Sequence, residues 1–256
     1  MADIHFLDPN SQGSPAVLLL HGLGANSQSW AMQFDALSEA GMRPLAVDVP
    51  GFGQSPYDGS GWHLPRIAAD LAALVRKLDV GPVHVVGLSM GGVIAQQFAL
   101  DFPNLTRKLV LVNTFAVLRP KTLSGWVYFL SRSILIHTFG LCKQADLVAR
   151  RVFPHPHQDA LRQMYIQQVM QADPRAYRAA MRALGFCNLT PRLPELRLPV
   201  LVITGANDIT VPPDRQRQLA EAIPGARQVI IQGAGHAVSV EQAGEFNQVL
   251  IAFLTD

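Results

Sequence analysis

Ser89, Asp208 and His236 are of three types that together can make an alcohol attack an acyl carbon. A serine hydroxyl is a weak nucleophile at neutral pH and needs a base to take its proton. An imidazole can serve if a carboxylate on its other nitrogen fixes the tautomer and steadies the imidazolium. Ser89 lies in Gly87-Leu88-Ser89-Met90-Gly91-Gly92, directly after an apolar run at 83–86. Glycine at both second neighbours of the serine permits a turn too tight for larger side chains. Such turns hold a backbone conformation costing about 1–3 kcal/mol and are normally tied to function. Asp208 closes Gly205-Ala206-Asn207-Asp208, just past the apolar run 199–204. His236 closes Gly233-Ala234-Gly235-His236, where small residues allow a loop that can bring imidazole to Ser89.

Negative charge developing on an acyl oxygen needs preorganised donors. The Met90 amide, at the start of a helix and helped by its dipole, is one. The second is expected from the loop His21-Gly22-Leu23-Gly24, with the Leu23 amide as donor. Loss of one such donor typically costs about 3–4 kcal/mol of transition-state stabilisation. Plainer roles compete at several positions. Asp208 could cap a helix beginning near Pro213, Asp48 suits a loop brace, and His21 suits a loop-organising hydrogen bonder. His155 and His157 lack the Cys or His company that a metal site needs. Trp126, Tyr128, Phe129 and Met164 could line a substrate pocket or simply bury helices, and both readings stay open. A dinucleotide site fails because the third glycine after Gly22-x-Gly24 falls on Ser27.

These residues need a frame that delivers them to one edge. Short β-rich apolar runs recur at 16–20, 45–49, 83–86, 108–112, 199–204 and 228–231, with amphipathic stretches between most of them. Residues 64–78 place Ile67, Leu71, Leu74, Val75 and Leu78 on one helical face, and 92–102 continue as a second helix. Strands apolar on both faces and separated by helices predict an α/β fold with a mostly parallel, doubly covered sheet. Residues 5–7 add an antiparallel edge. The alternation breaks at 115–189, which is punctuated by proline and glycine and shows only helical patterns. It is expected to form a helical cap inserted into a core domain of residues 1–114 and 190–256. In a parallel sheet, the ends that bear Ser89, Asp208 and His236 are where ligands collect.

Composition narrows the function classes. At 256 residues the chain suits one large domain. Hydrophobic residues at 49% against 16% charged supply ample core. A net charge of +2 with no dense Lys/Arg run argues against a nucleic-acid partner. Two cysteines, Cys142 and Cys187, fit free thiols in a reducing compartment. The start has no basic and long apolar leader, and no apolar stretch approaches 18 residues, so a cytoplasmic protein without a membrane span is expected.

The five pieces His21-Gly22-Leu23-Gly24, Asp48-Val49-Pro50-Gly51-Phe52-Gly53-Gln54-Ser55, Gly87–Gly92, Gly205–Asp208 and Gly235-His236 stand in the order found in the α/β-hydrolase superfamily. The chain resembles that superfamily over nearly its whole length. The resemblance implies Ser89 as nucleophile, His236 as base, Asp208 as acid, and Leu23 and Met90 at an oxyanion hole, with 115–189 as the lid. Some relatives place the acid after the strand ending at Val112, but Asn113-Thr114 offers no carboxylate there. The N-terminus is one strand short of the usual hairpin. Serine at the elbow, where some relatives carry aspartate, argues against haloalkane dehalogenase and epoxide hydrolase chemistry. Hydrolysis of small or medium hydrophobic carboxylic esters through an acyl-enzyme leads. Enol-lactonase activity, carbon–carbon bond hydrolysis and a ligand-binding receptor on the same fold remain alternatives. The carbon–carbon hydrolases favour Asn where this chain has Leu88. None of these requires a cofactor or metal.

Overall fold

The computed structural model describes residues 3–118 and 140–256, with Val127, Ser131, Ile134, Ile136 and Thr138 between them. The apolar runs form strands β1 (Phe6–Leu7), β2 (Ala16–Leu20), β3 (Arg43–Val47), β4 (Val83–Leu88), β5 (Thr106–Val112), β6 (Val200–Gly205) and β7 (Arg227–Ile231). They make one sheet in the order β1-β3-β2-β4-β5-β6-β7. Every neighbouring pair is parallel except β1 and β3. The antiparallel edge is thus the two-residue β1.

Alternation along each strand divides the core between two faces. Leu18, Leu20, Val85, Leu109 and Leu111 face one side, beneath helices α2 (Leu64–Lys77) and α3 (Met90–Asp101). Val17, Leu19, Val86, Val110 and Val112 face the other, where Phe246, Leu250 and Phe253 cover them from the C-terminal helix. This double cover explains why β2 is buried at all five positions. α2 buries Ile67, Leu71, Leu74 and Val75, as its spacing predicts. His63 caps its start by accepting from the Arg66 amide, and Arg76 and Lys77 sit in its last turn, where positive charge suits the helix dipole.

One strand is displaced by two residues from its expected place. The run 45–49 was expected as strand, but β3 spans Arg43–Val47. Beyond Val47 the backbone leaves the ladder: the Asp48 amide donates to the His5 carbonyl at 2.9 Å and the Val49 amide to His21 Nε2 at 3.0 Å. The remaining helices are α1 (Ala31–Glu39), α4 (Gly140–Val152), α5 (Asp159–Gln171), α6 (Pro174–Phe186), α7 (Pro213–Ala222), the single turn α8 (Val238–Glu241) and α9 (Ala243–Thr255). Helices α4 to α6 lie between β5 and β6 in sequence. The chain leaves and re-enters the sheet side by side: Val117 bridges Asn188, and the Leu189 amide donates to the Ala116 carbonyl at 2.9 Å. Among the described residues, no helix is long and apolar enough to cross a membrane.

Candidate active site

Ser89 joins β4 to α3 with φ 53° and ψ −112°. A positive φ is uncommon for a residue with a side chain and must be held by its surroundings. The hold is visible. The Ser89 amide donates to the Val112 carbonyl at 2.9 Å, and Thr114 Oγ1 donates to the Ser89 carbonyl at 2.6 Å. The flanking glycines are required by close approach. A Cβ on Gly87 would collide with the Gly91 carbonyl, one on Gly91 with the Leu20 carbonyl, and one on Gly92 with the Thr114 side chain. The turn therefore projects the serine from the C-terminal end of the sheet.

His236 and Asp208 meet at the same edge. His236 Nδ1 and Asp208 Oδ2 are 2.8 Å apart, and both residues are buried. Asp208 also accepts from the amides of Thr210 and Val211 at 2.7 and 2.9 Å and from Gln216 Nε2 at 3.3 Å. It is no cap for α7, whose start has Pro212 at the capping position and no side-chain acceptor. An ionised carboxylate so supplied with donors directs the Nδ1 proton toward itself and leaves Nε2 free to accept. Among the described residues Ser89 Oγ makes no hydrogen bond, to His236 or to any other group; nucleophile–base contacts are often loose until substrate binds.

The loop after β2 lies against this elbow. A Cβ on Gly22 would stand 3.7 Å from Ser89 Cβ. Among the described residues, the amides of Leu23 and Met90 donate to no protein acceptor. His21 shapes the loop, with Nδ1 2.8 Å from the Gly22 carbonyl and Nε2 accepting from Val49. Burial lowers its pKa, so the ring is neutral. Tyr165 from α5 donates to the Leu23 carbonyl at 2.9 Å. Asp48 braces the neighbouring turn by accepting from the Ser27 and Gln54 amides at 2.7 and 2.9 Å. Burial opposes its charge, but these amides hold its pKa below the usual carboxylate value.

A cavity of about 820 Å³ opens over the three side chains' common edge. Ser89, His236 and Leu23 line it from below, and Val152, Phe153, Leu161, Met164, Met181 and Leu184 from α4 to α6 and their connections. Met164 thus stands where a pocket residue was expected. Trp126, Tyr128 and Phe129 lie outside the described residues. Local sequence reasoning missed Asn113, which binds the histidine loop to the sheet. Its Nδ2 donates to the carbonyls of Gly235 and His236 at 2.9 and 2.8 Å, and its Oδ1 accepts from the Gly205 amide at 2.8 Å. Asparagine at a strand end, with φ 44°, was the available signal. Glu241 was missed too; it accepts from the Gly235 amide at 2.6 Å and from Gln158 Nε2 at 2.7 Å.

A family model for the alpha/beta hydrolase fold matches residues 15–243. The chain belongs to the alpha/beta hydrolase family. Among its relatives is a 2-hydroxy-6-oxononadienedioate/2-hydroxy-6-oxononatrienedioate hydrolase of Escherichia coli, 30% identical over 98% of this chain and 90% of that protein. The enol-lactonase of Burkholderia xenovorans LB400 superposes with a TM-score of 0.89 at 28% identity, covering 99% of this chain and 96% of that one. A thermophilic esterase from Thermogutta terrifontis does so with a TM-score of 0.87 at 27% identity, over 98% and 93%. This alpha/beta hydrolase therefore shares its frame with members named for ester, lactone and dienedioate chemistry.

Proposed function

We propose that the protein is a serine hydrolase that cleaves carboxylic esters through an acyl-enzyme on Ser89. The observation that carries the reading is the 2.8 Å contact between His236 and Asp208 at the rim of the cavity into which Ser89 opens. In the proposed reaction His236 Nε2 takes the Ser89 proton as Oγ attacks the ester carbonyl. The proton then passes to the departing alkoxide. The unengaged amides of Leu23 and Met90 receive the oxyanion. Water, deprotonated by the same imidazole, releases the acid and restores the serine. Helices α4 to α6, within the inserted segment 115–189, act as the cap: their apolar side chains select hydrophobic acyl or alcohol parts and exclude water. A second reading, lactone opening, has the enol-lactonase likeness in its favour and uses the same acyl chemistry.

The test combines a fluorophosphonate probe with turnover. The probe is expected to label Ser89, and p-nitrophenyl esters of increasing acyl length to turn over many times. Ser89→Ala should lower kcat on the order of a millionfold. An enol-lactone and a dienone substrate run in parallel separate lactonase and carbon–carbon hydrolase activity from esterase activity. No labelling of Ser89 and no turnover would overturn the reading; a single slow turnover would point to a receptor.

A further inference from the structure

The cavity over Ser89 is apolar along most of its lining, yet two arginines line it and, among the described residues, no Asp or Glu does. Arg215, in the first turn of α7, is half-buried there. Its neighbours' charges are spoken for elsewhere: Asp214 pairs with Arg217 at 2.9 Å, and Arg217 also approaches Glu221. Among the described residues, Arg215 has neither a hydrogen bond through its side chain nor an ion pair. The chain carries no Asp or Glu between Asp101 and Asp146, so residues 119–139 can offer it no carboxylate either. Arg151, half-buried on α4, brings a second positive charge to the same lining. Its Nη2 donates to the Ile209 carbonyl at 2.6 Å, which ties it to the loop leading into α7.

A half-buried guanidinium beside an apolar space has given up part of its water without gaining an anion. Its planar fork matches a carboxylate with two parallel hydrogen bonds. We propose that Arg215 is a specificity-determining residue that receives a carboxylate carried by the substrate. The preferred substrates are then esters or lactones with a second, free acid group: a reactive acyl carbon for Ser89, an apolar spacer along the cavity and a carboxylate on Arg215. The assignment of the reacting bond rests on the ester hydrolase reading above; the carboxylate site does not.

Mono-p-nitrophenyl esters of succinic, glutaric and adipic acid, compared with neutral p-nitrophenyl esters of matched length, test it. The wild-type protein is expected to show at least about tenfold higher kcat/KM on the best acid ester, as a charge-assisted hydrogen bond predicts. Arg215→Gln should collapse that ratio by about tenfold or more, chiefly through KM, and Arg215→Glu should reverse it. A ratio that survives in Arg215→Gln, or a wild-type preference for the neutral ester, overturns the proposal. Calorimetry on Ser89→Ala supplies a readout independent of turnover, with heptanoate and heptanamide as probes. Heptanoate should bind at least about tenfold tighter than the amide, and lose that advantage with Arg215→Gln. Equal binding of the two overturns the carboxylate site. If no ester is cleaved while heptanoate binding still depends on Arg215, the ester reading fails and the anion site stands.

Discussion

Asp208 is placed so that its charge and its geometry can be separated. Both oxygens are used: Oδ1 by the Thr210 and Val211 amides, Oδ2 by His236 and Gln216. Asparagine in its place keeps the size and an oxygen for the two amides. With that oxygen on the two amides, its NH2 group faces the imidazole. In the proposed reaction the ring then favours the wrong tautomer and the imidazolium loses its counter-charge. Asp208→Asn is expected to lower kcat on p-nitrophenyl esters by about 10³–10⁴-fold. Thermal denaturation should remain within a few degrees of wild type, because the amide contacts persist. A loss of less than about tenfold at unchanged folding would show that Asp208 orients a loop and has no part in the chemistry. In the proposed reading, the neighbouring Asn113 gives a reason for the acid to stand after β6 and not after β5. Its side chain already spans three backbone groups of the β6 and histidine loops, a neutral task that an ionised carboxylate, lacking N–H donors, could not perform.

At the scale of elements, the passage from β4 to α3 sets the position of everything else at the edge. α3 is buried at eleven of its twelve positions and crosses β2 so closely that Gly91 has no room for a methyl group. Gly91→Ala must push helix and strand apart, and is expected to destabilise the fold by about 2–3 kcal/mol and to reduce probe labelling of Ser89. Gly244→Ala is the contrast: it lies in the first turn of α9, exposed, with nothing near its missing Cβ. That change should be neutral or stabilise by up to about 1 kcal/mol. Equal urea midpoints for the two variants would refute the close-approach argument. The same element shows what a sequence can reveal. Ser89, Asp208 and His236 were legible because each sits in its own glycine-marked strand end, a local pattern. Pairings between distant parts of the chain, such as Tyr165 with Leu23, Glu241 with Gln158 or Arg151 with Ile209, leave no periodic trace and arise only in the fold. β3 misplaced itself by two residues for a similar reason: Val49 is apolar and buried, but its amide is claimed by His21, a loop partner invisible to alternation.

For the molecule as a whole, the sheet stores a pH dependence far from the edge that bears Ser89. His84 lies near the start of β4, opposite Val17 and at the other end of the strand from Ser89. It is buried, and among the described residues its Nδ1 has no hydrogen-bond partner. Burial, with Arg107 and Lys108 nearby, lowers its pKa from 6.5 to about 4. In the unfolded chain the ring takes a proton near pH 6.5; in the folded chain it waits until about pH 4. The unfolded state therefore binds more protons throughout that window, and stability falls as pH drops through it. One proton contributes at most about 1.4 kcal/mol per pH unit. His21, also buried and lowered, adds a loss of the same sign, and the depressed Asp48 adds another below pH 4. His84→Val removes the titrating ring and the orphaned nitrogen and puts a β-branched residue, which suits a strand, in their place. Urea unfolding between pH 7 and 4.5 should then show a slope smaller than wild type by up to one proton, with the His21 share retained. A variant whose slope matches that of wild type would mean that His84 gains its proton without unfolding, through water reaching β4 from the end of the sheet opposite the cavity.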